Sequence, residues 1–178
     1  PLIGRPDLVK KYQKKAESIA GEEFAPEEQV IINAKQPRRV RILQKHAVYA
    51  AMVEAMDAAF GKVLTKLDAL GLADDTIVCF TSDNGGLSTS EGSPTSNLPL
   101  RGGKGWIYEG GIREPFIVRW PGVTNSGTTN DTPVISTDFF PTLTNAAGVE
   151  KKTGLPIDGV DLKPLLSGNG QIERQALY

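Results

Sequence analysis

The apolar positions change period several times along the chain, and each change predicts an element. Met52, Met56, Phe60, Val63, Leu67 and Leu70 recur every three or four residues. They mark one face of a helix that the pattern carries from about Arg41 to Leu70. Glu54, Asp57, Lys62, Lys66 and Asp68 fall largely elsewhere, and Gly71 supplies a stop. A shorter helix is expected after Arg5-Pro6-Asp7, with Asp7 near its cap. Leu8, Val9 and Tyr12 follow, Lys10, Lys11, Lys14 and Lys15 point outward, and Gly21 ends it. The polar stretch from Glu22 to Pro37 reads as a loop or short helical turns. Two apolar runs, Thr76 to Thr81 and Pro115 to Trp120, read as strands, the first buried on both faces. Thr137-Asp138 opens a short helix through Leu143 and Ala147, stopped by Gly148, and Asp161 to Leu166 forms one more turn. The order helix, strand, loop, strand, helix is that of an α/β fold.

Composition narrows the partners. The 178 residues are 39% hydrophobic and 23% charged, which is globular composition. A net charge of -1 gives no overall positive field for nucleic acid or an anionic membrane. The longest unbroken apolar run, Ala47 to Val53, is too short to span a bilayer, so no transmembrane segment is expected. A single cysteine, Cys79, excludes an internal disulfide framework and a cysteine-rich zinc site. Its mid-strand position makes it a small buried hydrophobe. His46 is the only histidine and reads as a surface or packing residue, with no second histidine to share a metal. Arg38, Arg39, Arg41 and Lys45 read as a solvated basic face without the interleaved aromatics that stack on bases. Met52 and Met56 belong to the core stripe. Asn130-Asp131-Thr132 fits the glycosylation pattern, a frequent chance match.

Two stretches carry candidate chemistry. Asp83-Asn84-Gly85-Gly86 lies at the carboxyl end of the first strand, where α/β sheets place their ligand sites. A carboxylate beside an amide carbonyl offers hard oxygen donors, suited to Ca²⁺ or Mg²⁺ rather than to a thiolate-seeking metal. The same residues also make an ordinary turn. Arg101-Gly102-Gly103-Lys104-Gly105 sets two cations among glycines. It is neither a Walker loop nor a dinucleotide fingerprint, since no Ser or Thr follows Lys104 and the glycine spacing differs. Alone, it is equally a solvated glycine-rich loop. Trp106 in this loop is a candidate contact for a sugar or aryl group, or simply packs on the loop. The stretch Gly92 to Asn97 is a candidate pocket rim.

Together these stretches resemble a known family. Thr81-Ser82-Asp83-Asn84-Gly85-Gly86, Leu100 to Gly105 and Tyr108-Glu109-Gly110-Gly111-Ile112-Arg113-Glu114-Pro115 are similar to the C-terminal half of a type I, formylglycine-dependent sulfatase. Tyr49 to Asp57, Thr137 to Leu143 and Asp158 to Leu162 match further family segments. The resemblance implies part of an alkaline phosphatase-like α/β fold, a mixed sheet flanked by helices. Residues 1–172 would be the C-terminal part of the catalytic domain, and 173–178 the start of a small, truncated C-terminal subdomain.

The activity it implies is hydrolysis of a sulfate ester of a small molecule or carbohydrate. By resemblance, Asp83 and Asn84 are two Ca²⁺ ligands, with Mg²⁺ the alternative ion, and Lys104 is the catalytic lysine that contacts the sulfate and supports the leaving oxygen. Arg101 and Arg113 would brace the loop. Cys79 does not fit the family's nucleophile motif, because Thr81 stands where that motif has proline. The formylglycine, an aspartate pair and a histidine just ahead of Pro1-Leu2 are expected outside this sequence, so that the segment alone is inactive. Two alternatives are a phosphoester or phosphonate hydrolase of the same superfamily and a non-catalytic binding module. Asn84 favours Ca²⁺ over the His-rich two-zinc relatives. A periplasmic, secreted or lysosomal setting follows from the resemblance alone, as does a fragment whose independent folding is doubtful.

Overall fold

The computed structural model describes residues 2–26, 39–89, 91–149, 154, 156–174 and 176–177. Pro1, 27–38, Ser90, 150–153, Leu155, Gln175 and Tyr178 lie outside the described residues, so those parts of the expectations for the Glu22–Pro37 loop and the two ends are not addressed. The chain is α/β, with small two-stranded sheets and five helices of four or more residues among the described residues. Its Cα packing divides it into one unit of Pro1–Ala73 and Phe80–Ile117 and a second of Asp74–Cys79 and Val118–Tyr178.

Helix α1, Pro6–Glu17, starts with proline at a position whose missing N–H would be unpaired anyway. Arg5 grips the Asp7 carboxylate at 2.8 Å. The helix stops four residues short of Gly21. Helix α2 is Ala47–Ala69 and begins six residues later than Arg41. The delay has two causes. Arg39–Arg41 is taken up by a strand, and His46 caps the helix, its Nδ1 accepting from the Tyr49 N–H at 3.1 Å. Helix α1 packs on α2, and Lys11 binds both oxygens of Glu54 at 2.7 and 2.8 Å.

Of the residues of α2, Ala51 alone is fully buried among those described. The stripe expected to be core is only partly covered: Met56 is 52% exposed and Val63 56%, while Met52, Phe60 and Leu67 are half-buried. Phe60 meets the edge of Phe80 at 5.5 Å.

Strands β1 (Phe24–Pro26) and β2 (Arg39–Arg41) pair antiparallel, with Ala25 opposite Val40. The expected loop therefore contains a strand. The basic run is not all solvated either. Arg41 is 4% exposed, lies over the Phe24 ring at 4.5 Å, and donates to the backbone carbonyls of Ser93 and Leu43. A cation stacked on an aromatic face and bonded to carbonyls replaces the water it loses.

Strand β3 is Val78–Thr81 and pairs with β4, Phe116–Arg119. Both are shorter than the apolar runs. Ala73–Asp75 forms a 3₁₀ turn, and β3 is half-buried with Thr81 exposed rather than buried on both faces. Cys79 is half-buried rather than buried, and the burial it has pushes its thiol above the ordinary value.

In the second unit, a 3₁₀ turn at Ser136–Asp138 leads into α4, Phe139–Ala146, and Lys163–Leu166 forms the one-turn helix α5. The four-residue helix α3, Glu109–Ile112, belongs to the first unit. Asp138 is fully buried. It accepts from the Ile135 and Val160 N–H groups, each at 2.9 Å, and from Arg174. Thr142 continues the network, donating to the Asp138 carbonyl and accepting from the Leu162 N–H. Among the described residues no helix is long and apolar enough to cross a membrane.

Candidate active site

The two candidate stretches belong to the first unit and are knitted together through their backbones. After β3, Ser82 donates its hydroxyl to the Asn84 carbonyl at 2.9 Å, closing a turn that carries Asp83 and Asn84. Asp83 is exposed and Asn84 half-buried. The Gly85 N–H then donates to the Gly111 carbonyl at 3.1 Å, and a Cβ on Gly85 would overlap the Gly110 carbonyl. Only a residue without a side chain permits that approach.

From the other direction, the Lys104 N–H donates to the Gly86 carbonyl at 3.1 Å. The backbone of the candidate lysine is thus bonded two residues beyond Asn84. Lys104 is exposed. Gly103 beneath it has no room for a side chain, since a Cβ there would strike the Gly86 carbonyl, the Ser88 hydroxyl and the Asn97 amide.

Asn97 joins the two loops. Its Oδ1 accepts from the Gly86 N–H at 3.0 Å, and its Nδ2 donates to the Gly86 and Gly102 carbonyls at 2.8 and 3.0 Å. The sequence offered one signal for it, as the last residue of the Gly92–Asn97 stretch, but its place between the loops appears only in three dimensions.

Helix α3, Glu109–Ile112, closes the arrangement, with the Gly110 N–H on the Arg101 carbonyl at 2.7 Å. Its two glycines hid it from a reading by periodicity. Arg101 lies over the Tyr108 ring at 3.8 Å, and Tyr108 stacks on Trp106 at 5.9 Å. This fits a bracing arginine. Arg113 forms an exposed pair with Glu109 at 3.7 Å.

Trp106 faces a different space from Asp83, Asn84 and Lys104. With Tyr108, Leu98, Leu100, Val40 and Arg101 it lines a cavity of about 280 Å³. A second cavity of about 300 Å³ lies between α1 and the start of α2, beside Tyr12 and His46. Burial and the nearby Arg41 lower the His46 pKa, which keeps Nδ1 free to accept from the helix. Neither cavity is lined by Asp83, Asn84 or Lys104.

Glu114 is the acidic residue that the sequence reading passed over. Its Oε1 is buried without a hydrogen-bond partner. Burial, and then the charge of Asp83, push its carboxyl above the usual range. Among the described residues, no group of three or more His, Cys, Asp or Glu side chains is placed to hold a metal by itself.

Residues 5–149 match the sulfatase family model. The chain belongs to the sulfatase family. It is 47% identical to the steryl-sulfatase of Rattus norvegicus over 132 residues, 71% of this chain and 23% of that protein. It is 42% identical to arylsulfatase A of Homo sapiens over 123 residues, 69% of this chain and 24% of that protein. Among solved structures it is similar to Ps i-CgsB in complex with k-i-k-neocarrahexaose, with a TM-score of 0.70 and 26% identity over 96% of this chain and 31% of that one. The alkaline phosphatase-like α/β fold expected from the motifs is therefore this sulfatase's fold. The chain spans less than a third of the length of these relatives.

Proposed function

We propose that this segment supplies the cation-binding turn and the lysine of a Ca²⁺-dependent sulfatase that hydrolyses a sulfate ester of a small alcohol or carbohydrate. The observation that carries the reading is the bond from the Lys104 N–H to the Gly86 carbonyl, which ties the lysine's backbone to the strand-end turn bearing Asp83 and Asn84. The donor set fits the ion. A carboxylate and an amide oxygen are hard donors, suited to such an ion. Mg²⁺ is the alternative ion. Asp83 and Asn84 would hold it, and when bound it would supply positive charge to the sulfate oxygens.

Lys104 carries the rest of the chemistry available here. Its ammonium is a compact charge that stabilises negative charge gathering on the sulfonyl and leaving-group oxygens as the S–O bond lengthens. By its resemblance to the family, the nucleophile would be a formylglycine elsewhere in the protein; Cys79 is half-buried, with a raised pKa, and outside the nucleophile motif. Trp106 lines a cavity that Asp83, Asn84 and Lys104 do not line, which speaks against a contact with the alcohol part of the substrate. The relatives frame that part as a sterol, an aryl group or a sugar. A periplasmic, secreted or lysosomal site of action rests on the family alone.

The test uses the full-length protein with 4-nitrophenyl sulfate and 4-nitrophenyl phosphate. Sulfate turnover should dominate, and Lys104→Ala should lower kcat by about 10²- to 10³-fold. Preferred phosphate turnover would select the phosphoester alternative. Unchanged kcat in the lysine variant would remove Lys104 from the reaction.

A further inference from the structure

Between the Asp83–Asn84 turn and the lysine loop, Glu91, Gly92 and Ser93 all lie in the left-handed backbone region, with φ of 52°, 86° and 47°. Residues with side chains visit that region singly, not in runs. Such a run persists where its surroundings over-determine it.

Arg41 and its neighbours supply those surroundings. Arg41, nearly the most buried charged side chain of the first unit, donates its Nε to the Ser93 carbonyl and its backbone N–H to the Ser88 carbonyl at 3.2 Å. The Ser93 hydroxyl returns a bond to the Arg39 carbonyl at 3.0 Å. The guanidinium is itself held by the Phe24 ring at 4.5 Å and by Glu23 at 3.3 Å. Three residues on, Gln44 binds the Thr95 hydroxyl at 3.1 Å and the Ser96 carbonyl at 2.8 Å. Ser88, Ser93 and Thr95 are buried, so water does not replace these bonds when they break.

From this loop the bonds run on to Lys104. The Ser88 hydroxyl donates to the Gly102 carbonyl at 3.4 Å. Asn97, two residues beyond Thr95, donates to the Gly86 and Gly102 carbonyls, and the Lys104 N–H donates to the same Gly86 carbonyl. Every link is a contact within the first unit.

We propose that Arg41, with Gln44 as its weaker partner, is a positioning residue for Lys104. Holding Ser93 and Thr95 fixes the loop that carries Ser88 and Asn97, and through them the point from which the lysine reaches the sulfate. The inference rests on the sulfatase reading of Lys104.

The experiment is a double-mutant cycle on the full-length protein, read as kcat and KM for 4-nitrophenyl sulfate. Arg41→Lys keeps the charge and loses the planar fork. It should lower kcat by about 10- to 100-fold, as expected when a reacting group is slightly misplaced, with KM nearly unchanged. In a Lys104→Ala background the same substitution should lower kcat by less than about twofold, because the group it positions is already gone. Gln44→Ala, at an exposed position, should show a smaller loss in the parent and the same disappearance in the Lys104→Ala background. If Arg41→Lys does not fold, the Gln44→Ala cycle decides alone. Equal losses in the two backgrounds would overturn the inference, since the fold at large would then be the cause. Unchanged kcat in the single variants would overturn it as well. A Lys104→Ala variant as active as the parent would fell the reading of the lysine, and the inference with it.

Discussion

Two polar side chains each hold an irregular part of this protein together, and they do so by opposite means. Asn97 is a neutral amide. It satisfies the N–H and C=O of Gly86 and the C=O of Gly102, joining the loops of the candidate active site. Asp138 is a fully buried carboxylate that gathers the N–H groups of Ile135 and Val160 and the guanidinium of Arg174. The amide reads both donors and acceptors and carries no charge to desolvate. The carboxylate accepts only, and its burial is offset by a cation and two amide dipoles. Beside the Asp83–Asn84 turn, the join is uncharged. In the other unit, a charge can be locked in permanently.

The largest break in this comparison should come from Asp138→Ala. It strips the partner from Arg174, whose Nη1 is already buried and unpaired, and frees two N–H groups. Loss of a buried pair of this kind costs about 3–5 kcal/mol, measurable by urea unfolding. Acid should dismantle the same join. Burial opposes ionisation of Asp138, but Arg174 and the two N–H groups outweigh it and hold its pKa below 3.8. An acid with a lowered folded pKa stabilises the fold fully above its unfolded value. That contribution drains away as pH falls from 3.8 through the lowered value. The stability gap between the parent and Asp138→Asn should therefore be constant at neutral pH and narrow below about pH 4; a gap flat down to pH 2 would contradict the assignment. The smallest effect should be that of Asn97→Ala, about 1–3 kcal/mol for the backbone groups left unpaired, the Gly86 carbonyl keeping its bond from Lys104. Unlike the aspartate variant, it should leave the acid-unfolding profile unchanged in shape while lowering kcat on an aryl sulfate.

What could be read in advance follows the range of the interactions. Helices α1, α2 and α4 and strands β3 and β4 announce themselves through periodicity and stop residues close in sequence. The β1–β2 pair does not. Its strands have three residues each, one includes a proline, and Phe24 is covered by arginine rather than by an apolar neighbour. The start of α2 was misplaced because a 3.6-residue pattern does not register a histidine cap. In the site, Asp83, Asn84 and Lys104 stood out as residue types in a recognisable order. Asn97 did not, since its importance depends on two loops meeting at glycines far apart in the chain. The apolar spacing on α2 locates a helix, but not the core stripe expected of it: Met56, Val63 and Leu70 are all more than half exposed.

The Gly86 carbonyl receives two donors, one from Asn97 and one from Lys104. Neither loop can slide without breaking a bond that the other also relies on. The lysine's backbone is thereby pinned, and its four-carbon arm is the part left free to swing.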